Sequence, residues 1–112
     1  MQFFCLYKPS RPEGVPPAEQ AMAGMMKLTE DMKRSGALVA TGGCLPSAHG
    51  ARIRFSGGTF AVENGPFKEP KGVVEGYAIL QAKSKEEAIE LTKRFLRVAG
   101  DGESEIRQMF EG

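Results

Sequence analysis

The chain opens on a run of apolar residues, Phe3 to Tyr7, that leaves neither alternation polar: Phe3, Cys5 and Tyr7 fall on one side, Phe4 and Leu6 on the other. Successive side chains of a strand point to opposite faces, so a segment written this way is covered on both and belongs in the middle of a sheet. Gln2 to Lys8 is therefore read as a first strand. Val73 to Ala82 has the same character, with Val74, Ala78 and Leu80 on one face and Val73, Tyr77 and Ile79 on the other. A chain of 112 residues has room for one core. Two doubly apolar strands then have to share the centre of one sheet.

The segments between them supply the rest of that sheet and its cover. Pro9 to Pro17 carries four prolines and a glycine, which cannot continue a ladder and mark a surface loop. Ala18 to Ser35 places Met22, Met25, Met26, Thr29 and Met32 at helical spacing, with Leu28 widening the stripe and Lys27, Glu30, Lys33 and Arg34 opposite, and Gly36 ends it. Ala37 to Leu45 is a second strand. After a polar loop, Ala51 to Phe55 and Thr59 to Glu63 flank Ser56-Gly57-Gly58, a hairpin turn of positive-φ glycines. Asn64 to Gly72 is irregular. A second helix begins at Ser84, where Ser84-x-x-Glu87 matches a capping box, and buries Ala88, Leu91, Thr92, Phe95 and Ala99 before Gly100-Asp101-Gly102 stops it. Glu103 to Phe110, with Ile106 and Phe110 alternating against Glu105 and Arg107, is the last strand. The order β-α-β-hairpin-β-α-β makes two βαβ units. With right-handed crossovers they give an α+β, ferredoxin-like antiparallel sheet with both helices on one face, in a single domain over residues 1–112. The helix-free face, apolar on its two central strands, is expected to be covered by a second copy in a homodimer.

Composition removes several classes of function. Fifteen Lys and Arg nearly balance 14 Asp and Glu, too even a mixture to gather phosphates, so nucleic acid is not expected as a partner. The apolar runs are far too short to span a bilayer and no basic-then-apolar leader opens the chain, so no membrane partner and a cytoplasmic address are expected. Cys5 and Cys44 are widely separated with no CxxC, and with a single histidine they cannot complete a zinc site; both are read as reduced, buried thiols, with no metal and no cofactor.

One stretch carries a family likeness. Asn64-Gly65-Pro66-Phe67-Lys68-Glu69-Pro70-Lys71, followed by Glu75-Gly76-Tyr77, resembles the signature of the DGPF branch of the YCII-related family. There Asp-Gly-Pro-Phe-x-Glu-x-Lys precedes a Gly-aromatic strand and a helix. Leu45-Pro46 is similar to the family's turn after strand two, Arg54 stands where an arginine precedes the hairpin glycine, and Ser84 to Leu91 matches the following helix. The resemblance implies a dimeric α/β barrel, in a branch whose function is largely uncharacterised. The chain departs from the pattern at Asn64, Pro70 and Gly72, where aspartate, a small polar residue and a second glutamate are usual. The His–Asp pair proposed for other YCII-related proteins is not carried over, because His49 is the only histidine and has no aspartate near it.

The candidate ligand-binding residues are Arg54, Asn64, Phe67, Glu69, Lys71, Tyr77 and His49, with no catalytic residue assigned. Gly65-Pro66-Phe67 has a mechanical reading, in which glycine supplies a positive φ, proline fixes the turn and Phe67 anchors the loop in the core. In the functional reading the same loop aims Asn64, Glu69 and Lys71 at a small ligand. Arg52 and Arg54 share a strand face and either hold a carboxylate or are solvated. The resulting expectation is a small-molecule-binding domain with isomerase-, lyase- or oxygenase-like chemistry, since proteins of this fold place ligands between sheet and helices. A non-catalytic interaction or regulatory module is the alternative. A pocket containing Glu69, Lys71 or Arg54 favours the first, and a flat, filled sheet face the second.

Overall fold

A computed structural model describes residues 1–68 and 73–111. The chain forms β1 (Gln2–Pro9), α1 (Glu19–Ser35), β2 (Leu38–Gly43), a 3-10 turn (Ser47–His49), β3 (Ala51–Ser56), β4 (Thr59–Asn64), β5 (Gly76–Gln81), α2 (Lys85–Ala99) and β6 (Gly102–Gln108). Four strands make one antiparallel sheet in the order β2-β5-β1-β6, and β3 and β4 make a separate two-stranded hairpin. Setting the hairpin aside, the sheet order is 2-3-1-4, that of a ferredoxin-like fold, with the doubly apolar β1 and β5 at its centre as their pattern requires.

The alternation along β1 divides the molecule. Phe3, Cys5 and Tyr7 are buried, and Phe3 and Cys5 join Leu28 and Met32 of α1, Ala88 of α2, Leu38 and Leu80 in one core, with Leu91, Phe95 and Val98 packed against it. Both helices therefore lie on one side of the sheet. They approach closely at Gly24, where a Cβ would stand 2.7 Å from a methyl carbon of Val98. Ser84 caps α2 by accepting the Glu87 amide at 3.1 Å, and Gly36 ends α1 in the left-handed conformation at φ 83°. On the opposite face Phe4 and Leu6 are half-buried, and Phe4 stacks on Tyr77 at 6.1 Å between ring centroids.

Several expectations shift at element ends. β5 begins at Gly76, not Val73, because its ladder partners stop there: Tyr7 on one side and Gly43 on the other are the last residues opposite it. Met22 and Met26 do not join the core stripe. The buried side of α1 is centred on Leu28 and Met32, and Met26, about 100° round the helix from Met25, points outward at 67% exposure. Phe110 lies beyond the end of β6 and is fully exposed, and Cys44, beyond the end of β2, is exposed as well. The hairpin presents Ile53, Phe55, Phe60 and Val62 on one face, paired Ile53 with Val62 and Phe55 with Phe60, all of them exposed.

Truncating the two phenylalanines at opposite ends of this range separates core from surface. Phe3→Ala, at a side chain 1% exposed, is expected to cost about 3–5 kcal/mol in denaturant unfolding, whereas Phe110→Ala should change stability by less than about 0.5 kcal/mol.

Candidate functional site

The proline-rich segment after β1 is held down at several points. The Ser10 amide donates to the Asp101 carbonyl at 3.0 Å, and Arg11 Nε donates to the Val15 carbonyl at 2.9 Å, closing the loop on itself. Arg11 Nη2 also forms an ion pair with Glu75 Oε1, half-shielded from solvent. Glu13 reaches Ser47, accepting from its backbone amide and, at 2.7 Å, from its hydroxyl. The Ser47 hydroxyl in turn accepts the Phe67 amide at 3.0 Å. A buried serine thereby joins the segment after β1, the segment after β2 and the segment after β4.

The Gly65-Pro66-Phe67 motif works here by close approach. Gly65 is not among the positive-φ glycines; a Cβ on it would stand 1.7 Å from the Ser47 carbonyl oxygen, where no side chain fits. The expected positive φ is thus replaced by a steric requirement. The Gly65 amide donates to the Gly50 carbonyl at 3.0 Å. Phe67 is half-buried, not sunk in the core; its ring lies under the Arg52 guanidinium, 3.9 Å from the ring centroid, and forms part of a cleft wall. That cleft, of about 640 Å³, is bounded by the proline-rich segment, Cys44, Leu45 and Pro46 after β2, Phe67, and Val73 to Glu75.

A second cavity, of about 310 Å³, lies between the sheet and the two helices, lined by Cys5, Tyr7, Thr29, Thr41, Thr92, Phe95 and Ser104 among others. Glu75 and Gly43 line both spaces, so the two adjoin at the Arg11–Glu75 pair. The walls of the inner cavity are mostly apolar. Thr92 and Thr41 turn their hydroxyls to the Ala88 and Tyr77 carbonyls. Burial pushes the Cys5 thiol up to about 11, against a smaller opposing effect of its hydrogen bond with Thr92, so Cys5 is a neutral thiol and no nucleophile. Tyr7 differs. Its ring packs edge-on against Phe95 at 5.0 Å, and its hydroxyl is buried without a hydrogen-bond partner among the described residues. A buried hydroxyl left in that state costs about 1–3 kcal/mol.

The residues singled out from the sequence are dispersed. Phe67 lines the outer cleft, and Tyr77 borders the inner cavity while its ring stacks on Phe4 on the helix-free face. Arg54 is exposed on the hairpin, and it and Arg52 lie at 3.9 Å from the two carboxylate oxygens of Glu63, which takes the role of the carboxylate they were read as holding. Asn64 ends β4 opposite Ala51, exposed, and His49 is exposed at the end of the 3-10 turn. Glu69 and Lys71 lie outside the described residues. Tyr7, Arg11, Glu13, Ser47 and Glu75 were not singled out. Tyr7 and Glu75 carry a readable signal: a phenol on the buried alternation of a central strand, and a carboxylate embedded in Val73-Val74-Glu75-Gly76. Among the described residues no three His, Cys, Asp or Glu side chains cluster to hold a metal ion, and no helix is long and apolar enough to cross a membrane.

Comparison with known proteins places this geometry. A family model described as the YCII-related domain matches residues 1–111. No curated protein matches the sequence. Among solved structures, the chain is similar to 5-chloro-2-hydroxyhydroquinone dehydrochlorinase from Burkholderia phenoliruptrix AC1100 in complex with 2,5-dihydroxybenzoquinone, with 16% sequence identity and a TM-score of 0.55, over 100% of this chain and 96% of that one. At that identity the likeness concerns the fold.

The clamp at Ser47 yields a direct test. Gly65→Ala forces the Ser47 backbone to move and should lower stability by about 3 kcal/mol or more in chemical denaturation; an unchanged midpoint would remove the close approach as the reason for glycine there.

Proposed function

The chain belongs to the YCII-related domain family, and we propose that it is a small-molecule-binding enzyme domain of the lyase type whose ligand, a small oxygenated ring, occupies the cavity between the sheet and the helices. The observation that carries this reading is the Tyr7 hydroxyl, buried and unpartnered in the wall of a 310 Å³ cavity that Glu75 also lines. A space of that size matches a monocyclic molecule, and its apolar walls with few polar groups are what such a molecule needs. The dehydrochlorinase of similar fold acts, by its name, on a hydroxylated chloro-aromatic compound. The same class of chemistry suits these residues. A carboxylate such as Glu75 takes a proton from the carbon beside a carbonyl, and the Tyr7 hydroxyl donates to the carbonyl oxygen as negative charge gathers on it. Collapse of that enolate re-forms the carbonyl, makes a double bond between the deprotonated carbon and its neighbour, and expels a leaving group from that neighbour with the electrons of the broken bond, while Glu75 keeps the proton.

Within the family, Gly65-Pro66-Phe67 supports the DGPF branch. A homodimer built on the helix-free sheet face accords with Phe4, Leu6, Tyr77 and Ile79 lying there, and a cytoplasmic location with two unbridged thiols. The alternative, an accessory interaction module, draws its support from the hairpin's exposed Ile53, Phe55, Phe60 and Val62, an apolar face the domain itself does not cover.

Two measurements check these readings. Hydroquinone, a neutral dihydroxybenzene, should bind saturably in calorimetry, and Tyr7→Phe, which keeps the ring, should weaken it by about five- to tenfold. No saturable binding at millimolar concentration would count against the cavity as a ligand site. Sedimentation equilibrium at micromolar concentration should give twice the chain mass; a monomer would remove the dimer.

A further inference from the structure

The Arg11–Glu75 pair stands where the outer cleft meets the inner cavity, and the geometry of its hydrogen bonds is incomplete. Arg11 spends Nε on the Val15 carbonyl and Nη2 on one oxygen of Glu75, which leaves Nη1 without a partner among the described residues. Among the described residues Glu75 likewise engages through one oxygen only. An arginine fork satisfies a carboxylate best through two parallel bonds, so this contact is the weaker, single-point form. Its position is nonetheless fixed from both sides. The loop closure at Val15 holds the guanidinium. On the other side the Glu75 amide donates to the Tyr7 carbonyl at 2.8 Å, and its carbonyl accepts the Cys44 amide at 2.6 Å. The side chain of Glu75 is 38% exposed and that of Arg11 19%, so the carboxylate is the partner with room to swing away.

We infer that Arg11 is the specificity-determining residue of the site and that it selects ligands carrying an anionic oxygen, a carboxylate or phenolate on the ring, which displaces Glu75 from the guanidinium. The inference rests on the reading that the inner cavity holds a small ring: a ring seated there, against the wall that Tyr7 and Phe95 form together, presents a substituent to the place where Glu75 and Gly43 border the outer cleft. In the free protein Glu75 neutralises the arginine and occupies the anion's place. An arriving anion takes over the guanidinium and, by doing so, releases the Glu75 carboxylate into the cavity as an unpaired base. Binding of the correct charge and the arming of the base become one event, and a neutral ring of equal size obtains neither.

The exchange makes a prediction of opposite sign for the two partners, which a merely structural ion pair does not. The probes are 4-hydroxybenzoate and its neutral isostere 4-hydroxybenzamide, titrated by calorimetry against the intact chain. The wild-type protein should prefer the anion by about tenfold, with a preference that declines as salt is raised. Arg11→Gln should bring the ratio of the two affinities to about one. Glu75→Gln, which removes the competing carboxylate, should raise affinity for 4-hydroxybenzoate several-fold. Equal affinity of the wild type for both probes overturns the inference and leaves the cavity reading in place. A loss of both affinities in Glu75→Gln also overturns it, since the pair would then be holding the loop and not exchanging. Failure of both probes to bind the wild type removes the cavity reading and the inference together, and binding of the benzamide without the benzoate overturns the inference alone. Because the wild-type ratio and the Glu75→Gln result do not depend on Arg11→Gln, an unfolded arginine variant does not rescue the inference.

Discussion

Ser47 donates its hydroxyl to Glu13, accepts the Phe67 amide, and presents its carbonyl to the bare α-carbon side of Gly65. Three connecting segments that the sheet and helices leave to themselves converge on that buried side chain. A buried hydroxyl with both its donor and an acceptor position used is a fixed point, because breaking any one bond leaves a polar group unpaired in a poorly solvated place. The outer cleft has its shape for this reason. Two of its walls, the proline-rich segment and Phe67, are tied to one residue of the segment after β2, which supplies a third. Proline adds to this by restricting the backbone between ties, so that few bonds hold a long loop.

The two ends of the loop carry different chemistry. Glu13 is consumed by structure, both of its oxygens being engaged at Ser47. Arg11, two residues earlier, is turned by the same loop towards Glu75. Of the two carboxylates this loop meets, Glu13 is therefore occupied at both oxygens, and Glu75, in front of β5, pairs with Arg11. Phe67 illustrates the same division. Its ring was expected to anchor the loop in the core; the tie is made by its backbone amide, while the ring serves as a platform for Arg52 and as a cleft wall.

The fold was legible because it is written in periodicities that a reader meets within ten residues of each other. The double apolarity of Phe3 to Tyr7 and of Tyr77 to Leu80 placed both strands at the sheet centre, and Ser84 with Glu87 marked the start of α2. What periodicity misjudged were the ends: Val73, Met26 and Phe110 have core-like residue types but lie past the last ladder partner, off the buried arc, or beyond the final strand. The site was less legible. Arg11, Glu13, Ser47 and Gly65 are distant in sequence, and no local pattern announces that they meet. Gly65 and Phe67 were recognised through a motif, but the motif states residue types and not that the glycine is needed for contact with a carbonyl 18 positions earlier. Tyr7 was read as one more core residue, since nothing in the alternation distinguishes a satisfied phenol from an orphaned one.

That Tyr7 and Glu75 border one cavity follows from strand register. Tyr7 pairs with Gly76, and the amide of Glu75, immediately before it, donates to the Tyr7 carbonyl. The two backbones are thus fixed to each other at the end of the ladder, where β5 has run out of partners and its chain is free to send a polar side chain outward. One residue further into β5, a carboxylate would be committed to a sheet face packed with apolar side chains. One residue earlier, it would lose the hydrogen bond that positions it. Register also sets which face Tyr7 takes: a slip of a single residue would move it to the helix-free side and bring Leu6 inward. The placement of a phenol and a carboxylate at one cavity is accordingly a property of the antiparallel pairing of β1 with β5, and the end of that pairing is where the inner cavity meets the outer cleft.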